Sequence, residues 1–199
     1  MSNFLAVDAS SHYLTVLAVK GEKKVLKYIP DCALQHSVKI MGEIESALDG
    51  ASLTCAECDY FAAVTGPGSF TGIRIGISTV KGLALASGKP MAGITSFGLI
   101  AYNVKDKKFY TVIDAAHGHY YVSGYENGET FFEPAYLSEA EVEKLDAPLY
   151  GFENLPFKNY IKLDAGGCLY QAAAAQAENL SGTLSALYVR KSQAEEGRK

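Results

Sequence analysis

Two stretches of this 199-residue sequence decide its fold: FLAVDASSHYLTVLAVKGE, Phe4 to Glu22, and FYTVIDAAHGHYYVSGYENGE, Phe109 to Glu129. Each has the pattern of an apolar strand that ends at an aspartate, a short turn, an alternating strand and a Gly-Glu turn. Asp8 and Asp114 occupy equivalent positions in the two copies. Since another strand-like run follows each Gly-Glu pair, we predict two three-stranded antiparallel meanders in a duplicated chain.

The residues that follow each copy extend this pattern into a complete lobe. Apolar residues that recur at spacings of three and four predict a first helix, which Gly50 ends. These apolar residues are Leu34, Val38, Met41, Ile44 and Leu48. The first copy then continues as strand 60–64, helix 71–86 and strand 91–95. The second copy is sparser, with a helix that begins at a Ser138 and Glu141 capping box, strand 147–150 and helix 166–179. We predict an α/β chain in which helices flank two mixed sheets, with one lobe at 1–103 and a second, trimmed lobe at 104–199.

Composition and charge restrict the class of protein. The chain is 48% hydrophobic and 20% charged, with a formal net charge of -4 and a pI of about 5.6. These values are typical of a folded globular protein and give no overall field that favours nucleic acid or an anionic membrane. The start lacks the pattern of a secretory signal, and no apolar run approaches the roughly 18 residues that span a bilayer. We therefore expect a cytoplasmic protein with no membrane partner.

The glycine-rich segment GPGSFTGIRIGISTVKGLALASGKP, Gly66 to Pro90, is the most unusual part of the chain. It lacks the Lys-Ser or Lys-Thr pair of a P-loop and the third glycine of a dinucleotide fingerprint. Three glycines within its helix, Gly72, Gly76 and Gly82, each lower helix propensity by about 1 kcal/mol relative to alanine. Such glycines permit close approach of another element, so the sequence favours a helix packed on two sides. The alternative is a central helix packed only within its own domain.

Two further patterns leave alternatives open. The carboxylates of Asp8 and Asp114 either hold Mg²⁺ and a nucleotide through water, or each caps its own turn. Neither loop has the glycine that lets backbone amides approach a phosphate closely. The pair Cys55 and Cys58 is a lone CxxC without the second ligand pair of a zinc site or the context of a redox site, which favours surface cysteines in a loop.

The central segment carries a resemblance to a known family. TGPGSFTGIRIGISTVKGLA, Thr65 to Ala84, closely resembles the signature of the bacterial TsaB (YeaZ) family. Other marks of this family occur in order along essentially the whole chain: Asp8-Ala9-Ser10, His36-Ser37, Asp114-Ala115 with Tyr120-Tyr121, and Leu187-Tyr188-Val189-Arg190 with Ala194-Glu195. Family members are typically somewhat longer, and the region after Tyr150 is shortened here.

The resemblance implies an actin-like, ribonuclease H-like duplicated fold and a role in making threonylcarbamoyladenosine next to the anticodon of tRNA. It further implies a degenerate relative of the catalytic subunit TsaD that pairs with TsaD and is joined by the ATPase TsaE. We therefore expect a non-catalytic scaffold, which would form a homodimer through the same apolar helices when alone. The acidic second half of the chain favours an indirect contact with tRNA. The catalytic relative binds its metal through an HxxxH helix motif. Here His36 is followed four residues later by Ile40, so no metal site is expected.

These considerations select two sets of residues. The surface expected to bind TsaD comprises His36, Ile40, Met41, Thr71, Gly72, Arg74, Ile75, Gly76, Thr79 and Lys81. A degenerate nucleotide site comprises Asp8, Ser10, Gly66, Gly68, Ser69 and Asp114. No cofactor is expected on this chain alone, with ATP or ADP confined to the interface of the complex. The alternative function is an independent nucleotide-dependent phosphotransferase or ATPase that uses Asp8 and Asp114, and a metallopeptidase is supported only by the glycoprotease name of the superfamily.

Overall fold

The computed structural model describes residues 2–189, which form two five-stranded sheets with helices around them. The motif residues Arg190, Ala194 and Glu195 lie outside the described residues. The first sheet consists of β1 Phe4–Asp8, β2 Leu14–Lys20, β3 Lys23–Ile29, β4 Tyr60–Gly66 and β5 Met91–Thr95. The second consists of β6 Lys108–Asp114, β7 His119–Glu126, β8 Glu129–Ser138, β9 Leu149–Gly151 and β10 Tyr160–Lys162. The helices are α1 His36–Ala51, α2 Phe70–Ser87, α3 Ser96–Ala101, α4 Glu139–Val142 and α5 Ala165–Ala174, with 3₁₀ turns at Cys55–Glu57 and Ala175–Glu178.

The two sheets share one strand order. The first runs β3-β2-β1-β4-β5, and the second runs β8-β7-β6-β9-β10. In each sheet the first three strands pair antiparallel and the last two join in parallel. The predicted duplication is therefore confirmed, and the chain has the actin-like arrangement of two related mixed sheets. Asp8 and Asp114 both lie at the ends of the equivalent central strands β1 and β6.

Both faces of the first sheet are covered because its central strands carry apolar side chains on both sides. Along β1, Leu5 and Val7 join the core beneath α1 and α2, whereas Phe4 and Ala6 join the core beneath α3 and α5. This second core also contains Phe109 of β6, so it links the two sheets. Among residues 2–189, no helix is both long enough and apolar enough to cross a membrane.

Helix α5 follows the second sheet in the chain but contacts strands of the first sheet. The Tyr60 hydroxyl donates a hydrogen bond of 3.0 Å to the carbonyl oxygen of Ala173. Further along, the amide of Leu187 donates to the carbonyl oxygen of Thr65 at 2.8 Å. The strands thus follow the division into 1–103 and 104–199, while the last helix returns to the first sheet. The boundary itself stays a prediction.

Several predicted boundaries shift in the structure. Helix α1 passes through Gly50 and ends at Ala51, with Ser52 in the left-handed conformation at a φ of 55°. The capping box of Ser138 and Glu141 is present at the start of α4, as predicted. Two short elements were not predicted, α3 at Ser96–Ala101 and β10 at Tyr160–Lys162. Both are too short to show a periodicity that distinguishes them from loops.

Candidate functional site

The ends of the two central strands face a small cleft between the sheets. Its volume is about 230 Å³, and its lining includes Ser10, Gly68, Ser69, Asp114 and Glu153. Four of the six residues predicted for a degenerate nucleotide site are thereby brought together. The other two, Asp8 and Gly66, do not line this cleft. Pockets that bind small molecules commonly measure about 300–1,000 Å³, so the cleft is smaller than that range.

Asp8 is fully buried and caps its own turn. Its Oδ1 accepts hydrogen bonds from the Ser10 amide at 2.8 Å and from the Ser10 hydroxyl at 2.6 Å. Oδ1 of Asp114 accepts from the Ala116 amide at 2.8 Å in the same way. The turn-capping alternative is therefore the one that the structure shows, for both carboxylates.

Burial also shifts the pKa of Asp8. Desolvation raises the pKa of this carboxyl, and the hydrogen bonds from Ser10, together with nearby Tyr13 and His36, oppose the rise only in part. Its Oδ2 has no hydrogen-bond partner at normal distance within the described residues. This carboxyl is fully buried and does not line the cleft, so it is not placed to hold Mg²⁺ there.

The glycine-rich loop before α2 packs on the loop after β1 and does not form an open anion cradle. The Ser69 amide donates to the carbonyl oxygen of Ser10 at 2.6 Å, and the Ser69 hydroxyl accepts from the Gly72 amide at 3.2 Å. Gly68, at a φ of 153°, lies so close to this carbonyl oxygen that a side chain would overlap it. A Cβ at Gly66 would lie 2.7 Å from the Ile73 Cδ1 atom. Ser69, Gly68 and Gly66 therefore contact other parts of the chain.

Glu153 connects the second half of the chain to the first loop across the cleft. Its Oε1 accepts a hydrogen bond from the Ser11 hydroxyl at 3.2 Å, while Oε2 is buried without a partner among the described residues. Burial raises the pKa of this carboxyl, the hydrogen bond from Ser11 opposes the rise, and the nearby charge of Asp114 adds to it. Sequence reasoning did not select Glu153, because no spacing relates it to the loops that it faces.

We expect Asp8 and Glu153 to lower the free energy of unfolding as pH rises above the ordinary carboxyl range. Both carboxyls have higher pKa values in the folded chain than in the unfolded chain, so the folded state binds more protons at these two groups, while the lowered pKa values of Glu57, Glu141 and Asp146 act in the opposite direction at lower pH. The contribution of Asp8 and Glu153 to stability is full below the ordinary carboxyl pKa and is lost as pH rises through the raised value. Glu153→Gln should reduce this slope, measured by urea unfolding at several pH values. The control Glu45→Gln, at an exposed position on α1, should leave it unchanged.

The structure also places the residues considered as metal or redox ligands. His36 is buried, and its Nε2 lies 2.9 Å from the carbonyl oxygen of Tyr13. Cys58 is buried, which corrects the interpretation of both cysteines as surface residues, and burial raises its thiol pKa to about 12. Within residues 2–189, no group of three or more His, Cys, Asp and Glu side chains is placed to hold a metal ion.

The outward side of α1 and α2, together with the turn before α1, carries the most exposed apolar side chains of the first lobe. Leu34, Leu85 and Val38 are 97%, 86% and 80% exposed, and Met41 is 53% exposed. We call this the helix-pair surface: Leu34, Val38, Met41, Gly42, Thr71, Arg74, Ile75, Ser78, Thr79, Lys81, Gly82 and Leu85. The sequence predicted one apolar stripe along the first helix, formed by Leu34, Val38, Met41, Ile44 and Leu48, and assigned Met41 to the surface for TsaD. The structure divides this stripe: Ile44 and Leu48 are buried together with Ile40 and Ala47, whereas Val38 and Met41 are exposed and Leu34 lies in the turn before α1.

Four residues leave the predicted TsaD-binding set because they are buried: His36, Ile40, Gly72 and Gly76. His36 and Ile40 face the core of the first sheet, and a side chain on Gly72 would overlap the carbonyl oxygen of Ala9. The ridge of Gly72 and Gly76 therefore serves packing within the chain. The remaining members, Met41, Thr71, Arg74, Ile75, Thr79 and Lys81, are at least partly exposed.

Arg74 is held at the start of α2 by aromatic rings. Its guanidinium carbon lies 3.7 Å from the centre of the Phe70 ring, and its Nε donates to the Tyr188 hydroxyl at 3.1 Å. The rings of Phe70 and Tyr188 are themselves 5.2 Å apart. A segment near the end of the described chain thus fixes one charged side chain at the edge of the helix-pair surface.

Comparisons with known proteins agree with this architecture. The family model described as TsaD, tRNA N6-adenosine threonylcarbamoyltransferase, matches residues 29–188. Proteins named tRNA threonylcarbamoyladenosine biosynthesis protein TsaB are 32% identical over 63% of the chain in Buchnera aphidicola, 28% over 61% in Bacillus subtilis and 30% over 63% in Escherichia coli. The matched part spans 61%, 54% and 55% of these relatives' own lengths, respectively.

Solved structures show the same fold. A Pseudomonas aeruginosa protein described as similar to peptidase YeaZ superposes with a TM-score of 0.78 at 23% identity, covering 96% of this chain and all 100% of its own. YeaZ from the same organism superposes with a TM-score of 0.73 at 22% identity, covering 90% of this chain and 93% of its own. The family match over residues 29–188 shows that the chain belongs to the family of the TsaD-type domain, and the curated relatives show that it is similar to the TsaB (YeaZ) members.

Proposed function

We propose that this chain is a non-catalytic scaffold and activator in the formation of threonylcarbamoyladenosine next to the anticodon of tRNA. In this proposal it binds the catalytic protein TsaD through the helix-pair surface of its first lobe. The pathway comes from the names of the TsaB relatives, and the mode of action comes from the surface and the cleft described above.

The observation that carries the proposal is the exposure of large apolar side chains on the helix-pair surface. Leu34, Leu85 and Val38 are the three most exposed large apolar residues within residues 2–189. Exposing such side chains together is unfavourable in water, and patches of this kind mark protein interaction sites. An apolar surface on two neighbouring helices suits another pair of helices as a partner.

Two glycines on the same surface support close approach of a partner. Gly42 in α1 and Gly82 in α2 are exposed, and a Cβ at either would meet nothing within 4 Å among the described residues. Each lowers helix stability by about 1 kcal/mol relative to alanine without an internal packing reason. The distance between packed helices depends on the size of the side chains at the contact, so these positions would let a partner helix lie close.

The cleft supports a non-catalytic role. Both aspartates that would bind Mg²⁺ cap turns, the Ser69 amide is hydrogen-bonded to the Ser10 carbonyl oxygen, and the volume of about 230 Å³ is small for a nucleotide. The phosphotransferase alternative requires ATP to bind the isolated chain, so calorimetry with Mg-ATP separates the two functions. Our proposal includes the ATPase TsaE as a third member of the complex. It also places ATP or ADP at the interface between this chain and its partner.

The same surface accounts for self-association. A helix pair with exposed apolar residues binds a second copy of itself when TsaD is absent, in a symmetric dimer. TsaD would then compete with this homodimer, and tRNA would be contacted through the catalytic subunit. The net charge of -4 agrees with an indirect contact, because phosphate binding requires clustered Lys and Arg.

Reconstitution tests the proposed activity directly. TsaD, TsaE, a threonylcarbamoyl donor and an unmodified tRNA are incubated with and without this chain, and modified adenosine is measured by mass spectrometry of the digested tRNA. We expect modification to fall to background without the chain. Equal modification in both reactions would contradict an activating role.

A further inference from the structure

A second, larger cavity lies on the opposite side of the first sheet from the helix-pair surface. Its volume is about 400 Å³, within the range of about 300–1,000 Å³ that is usual for small-molecule sites. It opens between the end of β5, α3, the loop before β6 and the turn between β7 and β8. Because it shares no residue with the helix-pair surface or with the cleft, it needs an explanation of its own.

The walls of this cavity suit a flat ring. Three aromatic side chains, Tyr102, Phe109 and Tyr125, line it together with Gly93 and Gly98. The rings of Phe109 and Tyr125 stack at 5.5 Å with an interplanar angle of 20°. Aromatic faces bind planar heterocycles by stacking, and the glycines leave room for a ring to enter.

Asp106 and Tyr102 lie at the mouth of the cavity, where both are exposed and each is held by a hydrogen bond. The Tyr150 hydroxyl donates a hydrogen bond of 2.8 Å to Oδ2 of Asp106. On the other side, Nε2 of Gln176 donates to the Tyr102 hydroxyl at 3.2 Å, although Tyr102 is 49% exposed. Fixing these groups before a ligand arrives reduces the entropy that binding would remove.

We infer that this cavity binds a purine nucleoside or a related flat heterocycle that carries an amino group. The ring would stack against the aromatic walls, and its amino group would donate a hydrogen bond to Asp106. An ionised carboxylate accepts hydrogen bonds and has none to donate, so the ligand must supply the donor. The inference is independent of the proposed function, since no part of it involves TsaD.

Fluorescence of 2-aminopurine riboside tests this site on the whole chain. The sequence contains no tryptophan, so the probe is excited without interference from the protein. We expect a saturable change in fluorescence. Purine riboside lacks the amino group and should displace the probe about tenfold less well than adenosine, the amino compound used as competitor, since a hydrogen bond to a charged group is lost.

Matched variants separate the site from nonspecific binding. Asp106→Asn removes the negative charge and replaces one acceptor oxygen by an NH2 donor, so it should weaken binding about tenfold, and Tyr102→Ala should weaken it several-fold by removing a stacking wall. The controls are Asp49→Asn on the exposed side of α1 and Tyr28→Ala on β3, where Tyr28 is 41% exposed. Both controls should bind the probe as the unchanged protein does.

The inference is overturned if the probe gives no saturable signal. It is equally overturned if purine riboside competes as well as the amino compound while Asp106→Asn binds normally. Circular dichroism melting checks that each variant is folded. If Asp106→Asn does not fold, Tyr102→Ala decides, because its side chain is half-exposed and its loss should leave the fold intact.

Discussion

Replacing Val38 with aspartate is expected to weaken binding to TsaD at least about a hundredfold while the chain stays folded. Val38 is 80% exposed, so the substitution removes little packing within the chain. The first turn of α1 contains no acidic residue, and a carboxylate there interacts favourably with the helix dipole. Within an interface the same carboxylate would be buried without a partner, at a cost of several kcal/mol. Calorimetric titration with TsaD measures the change in affinity, and thermal melting measures the fold.

The matched control places the same charge on another exposed apolar position. Ile161 lies on the edge strand β10 of the second sheet and is 44% exposed. Ile161→Asp should bind TsaD with unchanged affinity. The helix-pair surface is wrong as the binding site if Val38→Asp binds normally, or if both variants lose binding equally. Loss of tRNA modification by Val38→Asp in the reconstituted reaction would connect the surface to the activity.

Alanine substitutions at two glycines of one helix are expected to change stability in opposite directions. A Cβ on Gly72 would overlap the backbone carbonyl oxygen of Ala9, so Gly72→Ala must displace the loop after β1. We expect this to lower the free energy of unfolding by about 3 kcal/mol. At Gly82 a Cβ would meet open space, and Gly82→Ala should raise it by about 1 kcal/mol through helix propensity. Guanidinium unfolding, with the slope of the transition held constant, measures both values.

The same pair distinguishes internal packing from partner contact. Gly82→Ala should yield a more stable chain that nevertheless binds TsaD more weakly, because the added methyl group lies on the helix-pair surface. A destabilised Gly82→Ala variant would contradict the open space seen above this residue. If Gly72→Ala left the free energy of unfolding unchanged, the close contact between α2 and the loop after β1 could not explain why residue 72 is a glycine.

Much of the fold was predictable because local patterns repeat. The two copies that begin at Phe4 and Phe109 predicted both meanders, and β5 was predicted at its observed bounds, Met91–Thr95. The short elements α3 and β10 were missed, since their lengths give no measurable period. The return of α5 to the first sheet was also missed, because a periodic pattern identifies a helix without indicating which sheet it covers.

For the site, the sequence by itself determined the family, the duplication and the glycine-rich segment before α2. Tertiary structure alone decided which side of each element faces outward. Val38 and Met41 lie on one stripe of α1, which Leu34 in the preceding turn extends, and Ile40 and Ile44 lie on another. Helical spacing cannot tell which of two apolar stripes is buried. Only the position of the sheet beneath the helix settles that question, because the sheet covers one stripe and leaves the other exposed.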